Sequence, residues 1–322
     1  MASETLPKRW RINPRPSRPW RARGPRRLIV GIAVSAAALG IRGIGGDGAE
    51  TVQRIAAPIL APPTAPGSML FPRARVVGFY GAPQDRKLGI LGIGTPDQAA
   101  AKLRLRARAY GTPQRPVIPA MELIAVIASE QPQADGRYRS RQPPLTIQRY
   151  LDAARRAHAL LILDIQPGQS DFLSEAKVLE PYLKQPDVGL ALDPEWHVPP
   201  GQIPGQSIGS STATEVNQVA DYLSSLVTVN RLPQKLLLVH EFTESMVVPK
   251  FGLRAPRGVA EVINIDGVGP PRVKQLKYGQ LTGRLNPALR RGFKLFFHED
   301  PRLMAPAEVL GLSPPPDVVI YE

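Results

Sequence analysis

Short apolar runs, each followed by a helical pattern, recur along the chain from Val76 onward. The runs are 76–80, 117–123, 160–164, 188–193, 235–240, 259–265, 293–298 and 317–321. Several, such as Leu160-Leu-Ile-Leu-Asp164, are continuously apolar, the mark of strands buried on both faces of a parallel sheet. Between them, 96–109 carries Thr95 as an N-cap and stops before Gly111. Segment 145–157 places Ile147, Tyr150, Leu151 and Ala154 on one face. The segments 171–183, 212–227 and 271–281 follow the same period. Eight strand–helix repeats predict an α/β fold of the (β/α)8 TIM type over residues 75–322, with the usual last helix missing. An open, doubly wound sheet is the alternative.

The first 74 residues follow another logic. Residues 1–27 form a basic tail, and 28–41 is an uncharged apolar run of the length of a signal h-region, with Ala36-Ala37-Ala38 as a cleavage site. Arg26-Arg27 before it resembles a twin-arginine signal. An uncleaved membrane anchor is the second reading. Residues 42–74, rich in Gly and then Pro, are expected to be a linker. The pattern predicts a secreted or membrane-anchored protein, outside the cytoplasm.

Charge adds one exclusion. The net charge is +14, but most of it belongs to the basic tail, and the barrel segment is nearly balanced. A phosphate-binding surface needs clustered charge on the domain itself, so nucleic acid is not an expected partner. The chain has no cysteine, which removes disulfides, a thiolate nucleophile and Cys-ligated zinc. A monomer is expected.

In barrels of this type, chemistry sits at the C-terminal ends of the strands. Tyr80 closes the first run and the second carries Glu122. The third ends at Asp164, followed by Gln166. The fourth ends Asp193-Pro194-Glu195-Trp196-His197. The fifth ends His240-Glu241, the sixth Asp266, and the seventh His298-Glu299-Asp300. Asp193 and Glu195 stand two apart, so extended chain points both to one face, while Leu190 and Leu192 are spaced by the same period. Two adjacent carboxylates in a partly apolar cup repel; one keeps a proton and the other stays ionised. That is the division glycosidic cleavage uses. The expected catalytic set is Glu195, Asp193 and Asp164. Trp196 is expected to stack on a sugar ring, with Glu122, Tyr80, His240, Glu241, Asp266 and His298 in the substrate-binding ring. Acids at strand ends also cap helices and bind loop amides, and the ring can be read that way too.

His197, His240 and His298, with Asp164, Asp193 and Glu122, offer metal-ligand chemistry, but no His-x-His or His-Glu-x-x-His spacing supports it. No metal or cofactor is therefore expected. Phosphate-binding and dinucleotide fingerprints and the Gly-x-Ser-x-Gly elbow are absent. The Pro- and Gly-rich stretch 197–211 reads as a lid over the fourth strand or as a floppy insertion.

The segments Leu161-Ile-Leu-Asp-Ile-Gln-Pro-Gly168 and Val188-Gly-Leu-Ala-Leu-Asp-Pro-Glu-Trp196, with Phe293–Phe297 and Asp317–Tyr321, resemble a family of exported, uncharacterised bacterial barrel proteins. That family brings no established activity. Asp193-Pro194-Glu195 also resembles, more distantly, the Asp-x-Glu strand end of glycoside hydrolases, cell-wall lysozymes among them. The resemblance implies Glu195 as the acid, Asp193 or Asp164 as its partner, and a cell-envelope or extracellular polysaccharide as substrate. The readings from other classes are a non-catalytic glycan-binding or envelope scaffold protein on a barrel, and a metal-dependent hydrolase.

Overall fold

A computed structural model describes residues 58–322. The basic tail and the apolar run lie outside the described residues, as does the first part of the expected linker. Among the described residues no helix is long and apolar enough to cross a membrane.

Eight parallel strands close on themselves. They are β1 (Arg75–Gly81), β2 (Val117–Ala128), β3 (Leu160–Ile165), β4 (Val188–Leu192), β5 (Lys235–Glu241), β6 (Val259–Ile265), β7 (Arg290–Leu295) and β8 (Val318–Tyr321). Each pairs with the next in sequence, and β1 pairs with both β2 and β8, so no edge remains. The fold is the expected (β/α)8 TIM barrel. The helices are α1 (Pro96–Ala107), α2 (Pro144–Arg156), α3 (Phe172–Val178), α4 (Glu180–Leu183), α5 (Ala213–Val229), α6 (Pro271–Thr282) and α7 (Pro306–Leu310).

Local chemistry explains where these elements begin and stop. Thr95 caps α1: the Gln98 backbone N–H donates to Thr95 Oγ1 at 3.2 Å, and Thr95 N–H donates to Gln98 Oε1 at 3.0 Å. Thr212 and Glu215 cap α5 in the same reciprocal way. The single helix expected over 171–183 is two, because Pro181 has no N–H to continue the ladder and its ring crowds the preceding turn. The seventh strand stops at Leu295, three residues before the expected end. There the Phe296 N–H donates to Asp300 Oδ2 at 3.0 Å, and Lys274 holds both oxygens of Asp300.

Strand alternation sorts side chains into two cores. Leu161, Leu163, Leu190, Val239 and Ile263 face outward and meet helix residues such as Leu151, Val219 and Leu223. Val76, Ile118, Ile162, Leu238, Val262 and Ile320 face inward. The inner core continues into Leu70, Phe71 and Ala74, which are buried. Residues 58–74, expected to belong to the linker, therefore pack on the barrel. Their attachment is also by backbone: Leu60 N–H donates to the Val117 carbonyl at 2.8 Å, and Gly67 N–H to that of Leu232 at 3.2 Å. A proline-rich segment can dock in this way because three apolar side chains suffice to cover one end of the barrel.

Outward positions that break the apolar rule include Lys235 and Glu241 on β5 and Glu261 on β6. Glu261 on β6 is fully buried and neither carboxylate oxygen has a hydrogen-bond partner. Burial pushes its pKa up to about 8 against a weaker pull from Arg254. The folded state thus holds a proton that the unfolded chain releases near pH 4.5. Stability is full below that value and falls as pH rises toward 8. Each tenfold change in proton affinity is worth about 1.4 kcal/mol, so the loss amounts to a few kcal/mol. Denaturant titrations at pH 5 and pH 8 are expected to show a smaller pH-dependent loss for Glu261→Gln than for wild type. Equal losses in the two proteins would remove Glu261 as the cause.

Candidate functional site

The inward positions turn from apolar to polar at the C-terminal end of every strand. Tyr80, Glu122, Asp164, Asp193, His240, Asn264 and Lys294 are buried there, with Asp266 and Glu322 at the half-buried rim. The polarity switch follows from strand period: Val76, Gly78 and Tyr80 share a face, as do Leu160, Ile162 and Asp164, and Leu236, Leu238 and His240.

Two cations organise the cup. Lys294 Nζ pairs with Asp266 Oδ2 at 3.2 Å and Glu322 Oε2 at 3.0 Å, and lies 3.7 Å from the centre of the Tyr80 ring. Burial opposes the charge on Lys294, but Asp266, Glu322, Asp193 and Glu122 outweigh it and raise its pKa well above the ordinary value. His240 donates from Nδ1 to Asp266 Oδ2 at 2.9 Å and from Nε2 to Glu122 Oε1 at 2.8 Å. Burial opposes its protonation too, yet Asp266 and Glu122 prevail and hold it as imidazolium. Asp266 also accepts from Asn264 Nδ2 at 2.7 Å. Burial pushes Asp266 up, but Lys294 and His240 pull harder and leave it below the usual carboxylate range.

Asp164, Asp193 and Glu195 make no direct ion pair with either cation. Tyr80 donates to Asp164 Oδ2 at 3.2 Å and accepts from Gln166 Nε2 at 3.0 Å. Burial first, and then Asp193, raises Asp164 well above the ordinary value. Asp193 is raised to about 6 by burial, with His240 and Lys294 holding it back. Glu195 is raised well above its ordinary value by burial and by Asp193. Both carboxyls of the pair are thus raised, Glu195 by burial and the Asp193 charge, Asp193 by burial against the pull of the two cations. The Asp193/Glu195 pair comes together through a 3-10 turn, Pro194–Trp196, rather than through continued strand.

That turn is clamped. Gly209 N–H donates to the Glu195 carbonyl at 2.7 Å and Ser210 N–H to that of His197 at 3.0 Å. A Cβ at residue 209 would lie 2.3 Å from the His197 carbonyl oxygen and 2.7 Å from that of Glu195, so the contact requires glycine. The stretch 197–211 is thus laced to the backbone that carries Glu195. Trp196 is half-buried there, its ring edge 3.4 Å from where a Cβ on Gly205 would stand.

Other expected members stand elsewhere. Glu241 follows His240 by one residue, so it points out of the barrel, where its Oε1 meets Lys250 Nζ at 2.5 Å. Burial there pushes its pKa to about 7. His298 is exposed, three residues beyond the end of β7. His197 is tied to the Ser210 carbonyl through Nδ1 at 2.9 Å and meets the Phe172 ring edge-on. Of the three histidines considered as metal ligands, only His240 reaches the cup, where one donor atom from each of Glu122, Asp164 and His240 lies within 4.8 Å of the others. Lys294, Glu322 and Asn264 were not foreseen. Lys294 had a signal, a lone charge inside Phe293-Lys-Leu-Phe-Phe297.

No family model matches the chain, and no curated protein matches it. Among solved structures it is similar to a hyperthermophilic endo-β-1,4-glucanase in complex with substrate. The identity is 8% and the TM-score 0.39, over 80% of this chain and 88% of that one.

Removing one partner from a buried ion-pair network strands the others and costs about 3–5 kcal/mol. Lys294→Met is expected to lower stability by that order, and adding Asp266→Asn to recover part of the loss. A Lys294→Met protein as stable as wild type would show that the pairing contributes nothing.

Proposed function

We propose that the protein is an exported glycoside hydrolase-like enzyme, acting as a monomer on a polysaccharide of the cell envelope or the extracellular space. One observation carries the reading: Glu195 and Asp193 share the rim of the cup, and the proton affinities of both are raised there. Burial and the Asp193 charge raise Glu195 well above its ordinary value, while Asp193 is raised to about 6. A proton donor for the leaving oxygen beside a carboxylate serving as base or nucleophile is what acetal hydrolysis needs. Asp193 suits the second role better than Asp164. Asp164 is fully buried, its proton affinity is raised by burial and by Asp193, and it is held by Tyr80. Asp266 and Glu322, neutralised by Lys294, offer fixed acceptors for sugar hydroxyls, and Trp196 at the rim offers a face for a ring.

The full chain tested on a panel of glycans is expected to hydrolyse at least one. General-acid loss typically costs about 10²–10⁴-fold, so Glu195→Gln should lower kcat by at least about 100-fold. In wild type, kcat/KM should rise with pH through about 6, as the pair loses its first proton, and Asp193→Asn should abolish that limb. Equal, measurable activity in all three proteins would exclude these two residues as the catalysts. The apolar run 28–41 supports the exported location. Fractionation of bacterial cells expressing the full chain should recover it outside the cytoplasm; recovery in the soluble cytoplasmic fraction alone would reject export.

A further inference from the structure

We infer that the floor of the cup is a binding site for a divalent transition-metal ion of the Mn²⁺ or Zn²⁺ class, held by Glu122, Asp164 and His240.

All three residues are buried, Glu122 and Asp164 completely. They come from different strands, β2, β3 and β5, yet present donor atoms within 4.8 Å of one another. Each carboxylate has one oxygen engaged and one without a partner. Glu122 uses Oε1 on His240 and leaves Oε2 bare; Asp164 uses Oδ2 on Tyr80 and leaves Oδ1 bare. Two bare, fully buried carboxylate oxygens in one cup need either protons or a cation, since an unmet buried acceptor costs about 1–3 kcal/mol and more when charged.

The surroundings are those of a supported ligand set. His240 Nδ1 donates to Asp266, the outer partner that fixes a metal-binding imidazole with its other nitrogen toward the ion. Asp266 is in turn held by Asn264 and Lys294. Asp164 is held by Tyr80, and Tyr80 by Gln166. On binding, the ion takes the place of the proton on His240 Nε2 and of any proton on the Glu122 and Asp164 carboxyls, and these leave to solvent. One imidazole with two carboxylates suits Mn²⁺ or Zn²⁺ better than Mg²⁺ or Ca²⁺, which favour all-oxygen shells. Charge points the same way. Against Glu122, Asp164, Asp193, Glu195, Asp266 and Glu322 the cup sets Lys294 and His240, with Lys274 acting on Asp266 from outside, and Lys294 is already occupied by Asp266 and Glu322.

The site lies below the Asp193/Glu195 rim and does not depend on the glycosidic reading. Calorimetric titration of the metal-stripped full chain with Mn²⁺ and with Zn²⁺ should show one ion bound per chain and a raised melting temperature. Co²⁺ should give a visible absorption band reporting nitrogen ligation. Glu122→Gln and Asp164→Asn, which keep side-chain shape, should each weaken binding by more than about 100-fold, and Asp266→Asn by about 10–100-fold. Glu195→Gln should keep the ion whether or not it abolishes hydrolysis. Absence of binding and of any melting shift in wild type with both metals would overturn the site. So would binding that survives both ligand substitutions, which marks an ion held elsewhere. If a ligand variant fails to fold, the wild-type titration and the Co²⁺ band still decide.

Discussion

Too many carboxylates for the cations present is the constraint on which the rest of the cup depends. Water would make so many neighbouring negative charges cheap; a barrel interior does not, because attraction and repulsion both strengthen as the dielectric falls. Lys294 meets part of the demand by reaching Asp266 and Glu322 at once. His240 meets another part between Asp266 and Glu122. What remains falls on Asp164, Asp193 and Glu195, and these are the groups whose proton affinities rise. The same strand ends thus yield locked ions on one side and proton carriers on the other.

How much of this could be read in advance follows from which physical rule each residue obeys. Strand period and near-continuous apolarity suffice for the barrel, since a strand covered on both faces is apolar over most of its length. The Asp193/Glu195 pair stood out by its spacing, but a 3-10 turn, not the strand period of two, carries Glu195 to its place. Glu241 shows the rule neglected: beside the inward-facing His240, it must face outward, and it does. His298 depends on where β7 stops. That is decided by Asp300 and Lys274, a tertiary pair whose partners are 26 residues apart.

Lys294 and Glu322 were hidden for a different reason. A lone lysine in an apolar strand looks like an interruption until the barrel closes and brings β6, β8 and the Tyr80 ring around it. Pairing across the barrel is a property of closure, and closure has no local signature. Residues 58–74 obscure themselves in the opposite way. Their proline content marks a chain without helix or sheet, which is correct, yet Leu70, Phe71 and Ala74 still find an apolar surface to cover.

Glycine 209 connects loop geometry to chemistry. Glu195 owes its raised proton affinity to burial and to Asp193 beside it, and the residue sits on a short 3-10 turn that has little rigidity of its own. The returning loop supplies what the turn lacks, with backbone bonds from Gly209 and Ser210 to carbonyls on either side of Trp196. Because the close approach leaves no room for a Cβ, the constraint is built from backbone alone and leaves the side chains of the rim free to face the cup. The buried floor is stiffened by closure of the barrel and the rim by this loop. The two parts of the site are thus held in place by different means, while charge couples them, since His240 and Lys294 act on Asp193 and Asp193 on Asp164.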